Sequence, residues 1–568
     1  MASHSQMEPI QGTVTNNAGG QSFLVSKEQM LMRYLIIGSD KPTYYASSQT
    51  STLENLNNVV QMITDGKGLD IVQTLINVSQ SARAPKQTFT LIVLAICSLS
   101  KDLQLKRNAN LAVPLICRIP THLFEYLDLR ECISRRINNG STGWGRAHRK
   151  VVSDWYNNFR GGSEKALIES TTKYASRHGY THKDALSLSH SVPNTITRKM
   201  IYSYLVKGIE SAQKISRDFS KKASEIGELD TMTNVLEYII AVQESKSFSE
   251  DDENKMCEFI DRYNLVREHV PPILLNSQKV WIKLLEKMPL IALIRSLSKL
   301  SSLKITEIPK QTSLIIEKIT NQDIIHKSKI HPLQILLAHN TYKEGRGFKG
   351  SLVWEVNPLI TKALDTAFEL SFKNIVPSSK RIFNAIDVSG SMKCPCNGGE
   401  GMTITCHEAS AVLALIMART EPFCFSASFS VDTSAGNGYY CYGGKPILKE
   451  LPIRKETTLH EAYQITQDSN FGATDCALPM LYALEKKMEI DTFIVYTDSE
   501  TYYGDIHPSE ALKKYRKEMN LPNTKLVVMG MQSNGFTIAD PSDEGMFDVV
   551  GFDSASPQII TDFSSGKL

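Results

Sequence analysis

From about residue 22 to residue 340, apolar side chains recur at three- and four-residue spacing, as in Leu53, Leu56, Val59, Val60 and Ile63, and again in Trp281, Leu284, Leu285 and Met288. That spacing gathers them on one face of an α-helix, and strand-like alternation is nearly absent. Pro114, Pro120, Pro193, Pro271, Pro272 and Pro289 punctuate the region into helices of modest length. Many short helices without one long bundle pattern predict a stack of helical hairpins, an all-α solenoid or ring. The longest apolar run, Phe89 to Leu99, lies between Lys86 and Lys101. It falls short of the ~20 residues that a membrane span needs and reads as a core helix.

Near residue 341 the texture changes. Glu344 to Gly350 is a glycine-punctuated connector, and an amphipathic helix follows around Leu359 to Phe372. Strands are then expected near 381–387, 423–430, 492–497 and 524–530, interleaved with helices near 406–419, 475–488 and 508–519. Such alternation predicts a doubly wound α/β domain, a mostly parallel sheet covered on both faces. Ser430 to Lys449, rich in Gly, Tyr and Ser, reads as a long hairpin or loop beside one sheet edge. The Ser-, Gln-, Asn- and Gly-rich start shows no periodicity and reads as a flexible tail. The chain therefore divides into a tail over 1–22, a helical module over 23–365 and an α/β domain over 366–568.

The α/β part carries a candidate metal site. Ile382 to Ile386 is an apolar strand that ends on Asp387-Val-Ser389-Gly-Ser391, and Phe493 to Thr497 is another that ends on Asp498. Gly472-Ala-Thr474-Asp475 opens a helical stretch between them. In an open α/β sheet the carboxyl ends of neighbouring strands meet along one edge, so these loops can share a crevice. Asp387, Ser389, Ser391, Thr474 and Asp498 then offer hydroxyl and carboxylate oxygens to one divalent cation, with magnesium the expected ion. A site with so few charges leaves the cation incompletely neutralised, so an acidic ligand from a partner is expected to complete it.

Net charge is only +3, which hides an asymmetry. Residues 101–225 hold 22 Lys+Arg against 11 Asp+Glu, whereas residues 381–568 hold 15 against 24. A basic module is joined to an acidic one, and the basic module is where a polyanion is expected. Arg135, Arg136, Arg146, His148, Arg149 and Lys150 crowd one stretch. Lys173 and Arg177, four apart, are expected on one helix face. Trp144 and Trp155 read as core fillers rather than stacking platforms.

These residues also carry a family resemblance. The Asp387 to Ser391, Thr474 and Asp498 set resembles the metal-ion-dependent adhesion site of the von Willebrand A family. Cys117-Arg-Ile-Pro-Thr-His-Leu-Phe124, Trp144-Gly-Arg146, Asp154-Trp-Tyr-Asn157, His182-Lys-Asp184 and Leu188-Ser-His190 resemble the TROVE module of the Ro ribonucleoprotein autoantigens. Ser533 to Asp540 resembles their C-terminal domain, and the likeness runs over about residues 25 to 565. It implies a ring of HEAT-like helical repeats closed by a von Willebrand A domain. It further implies a protein, monomeric within its particle, that binds Y RNAs on the outer face and takes the single-stranded ends of misfolded small noncoding RNAs through a central hole, acting in RNA stabilisation and quality control. Carried onto this chain, the outer face is Lys173, Arg177 and His190, and Arg118 and His122 lie nearer the hole. Two departures stand out: Ala473 replaces a second Gly of the Thr-bearing loop, and the segment from Cys394 to His407 is longer than its counterpart.

Other classes fit less well. A haloacid-dehalogenase-type phosphatase needs a second Asp where this chain has Ser389, and a two-metal nuclease needs more acids. No catalytic residue is therefore expected. The runner-up is a metal-dependent protein-binding adaptor without RNA, which has no need of so basic a module. Cys394, Cys396, Cys406 and His407 do not have the spacing of a zinc knuckle and read as a thiol-bearing surface loop. Ten unevenly spaced cysteines and no secretory pattern point to the cytoplasm, with the nucleus also open.

Overall fold

A computed structural model describes residues 4–568 apart from 40–46, 82, 85, 348–350, 373–374, 397–403, 433–444, 468–471 and 554. The end of the expected connector, the middle of the Cys394 to His407 segment and most of the loop after Ser430 lie outside the described residues.

Between Lys27 and Leu370 the chain is a succession of helices, each packed mainly on near neighbours in sequence. Thr88–Leu99 is the expected core helix, with Leu91, Val93, Leu94 and Ala95 buried. Each such Leu or Val contributes about 1.5–3 kcal/mol on leaving water. Proline acts as expected at Pro120, which opens the helix Pro120–Ile137. Pro114 does not break its helix; it sits in the last turn of Leu103–Ile116, gives up one amide bond to the preceding turn, and the helix ends two residues later. The succession closes on itself. Lys329 Nζ donates to the Gln80 carbonyl at 2.8 Å, and His331 Nε2 lies 3.1 Å from the Arg83 carbonyl.

The α/β domain is built on β3 (Arg381–Asp387), β4 (Phe423–Asp432), β5 (Lys445–Glu450), β6 (Thr492–Thr497), β7 (Lys525–Gly530) and β9 (Met546–Val550). They lie in the order β9-β7-β6-β3-β4-β5, all parallel except β5, an antiparallel edge that overlaps the stretch expected as a long hairpin or loop. The strands alternate between two cores. Phe383, Ala385, Phe493 and Val495 pack with Met480, Leu512 and Tyr515 on one face. Ile382, Ile386, Ile494 and Tyr496 face the helix Cys406–Thr420 on the other, and that core runs on into the helical module. Chain order reverses between β3 and β6, so the switch point of the sheet falls between Asp387 and Asp498.

The start of the chain is a correction. Rather than a tail, it forms β1 (Thr13–Thr15) and β2 (Gln21–Leu24), which pair with β8 (Phe536–Thr537) of the α/β domain in a three-stranded sheet. Polar composition does not leave it loose, because its amides have partners: Gln6 Nε2 donates to Asp475 Oδ1 at 2.6 Å, and Asn16 Nδ2 to the Thr501 carbonyl at 2.7 Å. Phe23 anchors it apolarly, its ring edge-on to His507. At Gly20 an added Cβ would meet the Thr501 carbonyl at 2.0 Å, so only glycine lets the two backbones approach so closely.

Candidate cation centre and basic face

The residues of the candidate cation site assemble at the switch point. Asp387 ends β3; its Oδ1 accepts the Ser389 amide at 2.8 Å and its Oδ2 the Thr497 hydroxyl at 2.6 Å. The Ser389 and Ser391 hydroxyl oxygens are 3.1 Å apart. Thr474 comes from a third loop fastened on both sides: the Gly390 amide donates to the Gly472 carbonyl at 3.3 Å, and the Val431 amide to the Ala473 carbonyl at 3.0 Å. Gly472 is forced, since a Cβ there would meet the Val431 carbonyl at 1.6 Å, whereas Ala473 fits. Asp498 follows β6. Its Oδ1 accepts the Glu500 amide at 3.2 Å, and its Oδ2 is sealed from solvent without a hydrogen-bond partner among the described residues.

Two buried carboxylates side by side oppose each other's ionisation. Burial, then the charge of Asp498, pushes the Asp387 carboxyl up to about 7. Burial likewise raises Asp498, with the Ser391 hydroxyl opposing. A divalent cation would offset this repulsion and occupy the unpartnered Asp498 oxygen, so the donor set fits a hard ion. None of the five side chains is more than 3% exposed, so an acidic ligand from outside reaches them only if the chain above them moves.

Among the described residues no group of three or more His, Cys, Asp or Glu is set to hold a metal. The expected thiol-bearing surface loop is corrected. Cys396 and Cys406 are buried, the Cys406 thiol hydrogen-bonds that of Cys396, and His407 Nδ1 lies 3.3 Å from the Met392 carbonyl.

The basic residues form two groups at opposite ends of the helix Pro120–Ile137. Arg135 and Arg136 are exposed in its last turn; Arg146, Arg149 and Lys150 are exposed in the first turns of Arg146–Asn157. His148, from the same stretch, is buried against the Tyr126 and Trp144 rings. Lys173 and Arg177 do not share a helix face: the helix Glu164–Lys173 ends at Lys173, and Arg177 lies in a hairpin, Ser176–Arg177 against Tyr180–Thr181. His178 and Gly179, both at positive φ, make the turn. Glu131 fixes this hairpin beside Arg135, accepting from Tyr180 Oη, from Trp144 Nε1 at 3.3 Å and from Arg135 Nη2 at 2.5 Å. Trp144 is half-buried and Trp155 buried, both as packing residues. His190 is exposed, in left-handed conformation, at the end of His182–Ser189. Arg118 and His122 sit half-buried at the other end, with Arg118 Nε and His122 Nδ1 unpaired. Burial, reinforced by Arg118, holds His122 down to about 4, so it is neutral near pH 7.

The TROVE domain pattern matches residues 14–344, and the Ro60 vWA domain pattern residues 381–564. A protein of Caenorhabditis elegans named RNA-binding protein RO60 is 34% identical over 99% of this chain and 92% of its own length. The chain belongs to the Ro60 family. A Deinococcus radiodurans protein of the same name is 31% identical over 98% of this chain and 96% of its own. The crystal structure of the Deinococcus radiodurans RO (RSR) protein superposes with a TM-score of 0.66 at 29% identity, covering 96% of this chain and all of that one. The TROVE match begins at residue 14, within β1, in line with the ordered start of the chain.

In this Ro60-family chain the two parts are clasped at sites the sequence did not mark. Arg33, in the last turn of Lys27–Ile36, is buried and pairs with Asp548 at 2.7 Å. Arg83 pairs with Asp553 at 3.1 Å, and near the other end of the helical module Arg419 pairs with Glu369 at 2.5 Å. Only the buried state of an arginine distinguishes such a clasp from a surface charge, and periodicity does not report it.

Proposed function

We propose that the chain is the RNA-binding component of a small ribonucleoprotein, not an enzyme, that takes Y RNA and misfolded small noncoding RNAs and acts in RNA stabilisation and quality control. The observation that carries this reading is the gathering of exposed Arg135, Arg136, Arg146, Arg149, Lys150 and Arg177 on one part of a module whose relatives are named RNA-binding proteins. Arg135 and Lys150 have carboxylate partners, Glu131 and Asp154, in exposed pairs worth only ~0–1 kcal/mol, which a phosphate can replace. Arg presents forked donors that match phosphate oxygens. Lys173, Arg177 and His190 serve structured RNA. Arg118 and neutral His122 serve single-stranded ends.

The α/β domain holds magnesium through Asp387, Ser389, Ser391, Thr474 and Asp498, and the bound ion supplies a positive centre for an acidic protein ligand. The polypeptide is one copy per particle, in the cytoplasm and also the nucleus. Among the described residues no helix is long and apolar enough to cross a membrane. Sequencing the RNA that co-purifies with the native protein tests the reading: enrichment of small structured noncoding RNA supports it, and a profile matching total RNA contradicts it.

A further inference from the structure

Asn534 touches both halves of the molecule. Its backbone carbonyl and its Oδ1 accept from Arg33 Nη1 at 2.9 and 2.8 Å, and the same nitrogen donates to the Phe536 carbonyl at 2.9 Å. Arg33 belongs to the first helix of the helical module and is clamped by Asp548. On its other side, Asn534 Nδ2 donates to the backbone carbonyl of Asp498 at 2.7 Å and to Glu500 Oε1 at 3.2 Å. Glu500 is held in turn by the start of the chain, accepting from the Asn17 amide at 2.8 Å and Asn17 Nδ2 at 2.7 Å. The loop that presents Asp498 is thus fastened by residues more than 450 positions away, while its own Oδ2 has no partner.

From these contacts we infer that Asn534 is a positioning residue for the cation site and links its occupancy to the docking of the first helix. The inference rests on the cation reading above. One planar amide spends its acceptor on Arg33 and its donor on Asp498, so it satisfies both only while loop and helix keep their present spacing. Without a cation, Asp498 Oδ2 has no partner among the described residues and the Asp498 loop is held less firmly. A bound cation holds that loop where Asn534 bridges it, and so favours the docked helix. Linkage makes the effect mutual: whatever loosens Arg33 weakens the cation.

The test uses the full-length chain and Mg2+ alone. Calorimetry reports binding, and hydrogen exchange followed by mass spectrometry reports opening of residues 27–37. In the wild type Mg2+ should slow exchange there by roughly fivefold or more, the low end of ordinary couplings. Asn534→Asp keeps an acceptor for Arg33 but loses the donor to Asp498, so it should bind Mg2+ more weakly and show no slowing. If that variant fails to fold, Arg33→Lys cuts the link on its other side, and its Mg2+ affinity should fall about as much. Mg2+ heat in the wild type with unchanged exchange at 27–37 overturns the coupling alone, as does slowing that survives in Asn534→Asp. Absence of Mg2+ heat in the wild type overturns the cation site and the coupling together.

Discussion

Arg33 and Asp548 lie 515 positions apart and meet at 2.7 Å with both side chains almost closed to solvent. Breaking a buried pair from one side leaves an uncompensated charge, a cost of about 3–5 kcal/mol. Asp548→Ala should therefore destabilise the chain by that order in urea unfolding. A change below about 1 kcal/mol, the ordinary value of a surface pair, would mean that the clasp contributes little.

Asp387 brings full charge to the first ligand loop and has no hydroxyl substitute. Asp387→Ala should abolish or strongly weaken a single Mg2+ event in calorimetry, whereas Ser389→Ala, which removes a neutral ligand, should weaken it less. Equal binding in wild type and Asp387→Ala would remove Asp387 from the site.

The same carboxyl sets a pH dependence. Its folded value, raised to about 7 by burial and Asp498, exceeds the ordinary 3.8. A carboxyl raised on folding contributes stability at low pH and loses it as pH rises through the folded value. Mg2+ restores that loss only by displacing the proton. Its stabilising effect on the melting temperature should therefore be small at pH 5 and full above roughly pH 7.5, with apparent affinity falling about tenfold per pH unit in between. A flat Mg2+ effect across this range would show that Asp387 does not give up a proton to the ion.

Asp387 and Asp498 lie at the switch point of the sheet, and the basic group lies on the helices from Pro120 to Ser189. Chelation should thus leave RNA affinity within about twofold, since phosphate contacts and not the ion supply the attraction. Complete loss of binding on chelation, with the fold intact by circular dichroism, would mean that the cation itself bridges the RNA.

That Asp387, Ser389, Ser391, Thr474 and Asp498 come together was legible because each follows an apolar strand or opens a helix, and strand ends meet at one sheet edge whatever the loops do. The helices were legible from their period. Three features were not. The start of the chain looked disordered because Gln6, Asn16 and Asn17 are polar, yet their partners, Asp475, Thr501 and Glu500, come from the far end of the sequence. Arg177 was placed on a helix by its spacing from Lys173, but His178 and Gly179 turn the chain into a hairpin there. The burial of the Cys396 and Cys406 thiols comes from the core cluster they join, which local composition does not encode.

RNA binding by the basic group is the central claim, and the salt dependence of affinity tests it most directly. Each phosphate contact contributes about 0.7–0.9 to the slope of log affinity against log salt. With a small structured noncoding RNA, the wild type should show a steep negative slope, and Arg146→Ala with Arg149→Ala should reduce its magnitude by roughly one to two. A wild-type affinity that does not change with salt, or a double variant whose line coincides with the wild type at every salt concentration, would contradict the assignment.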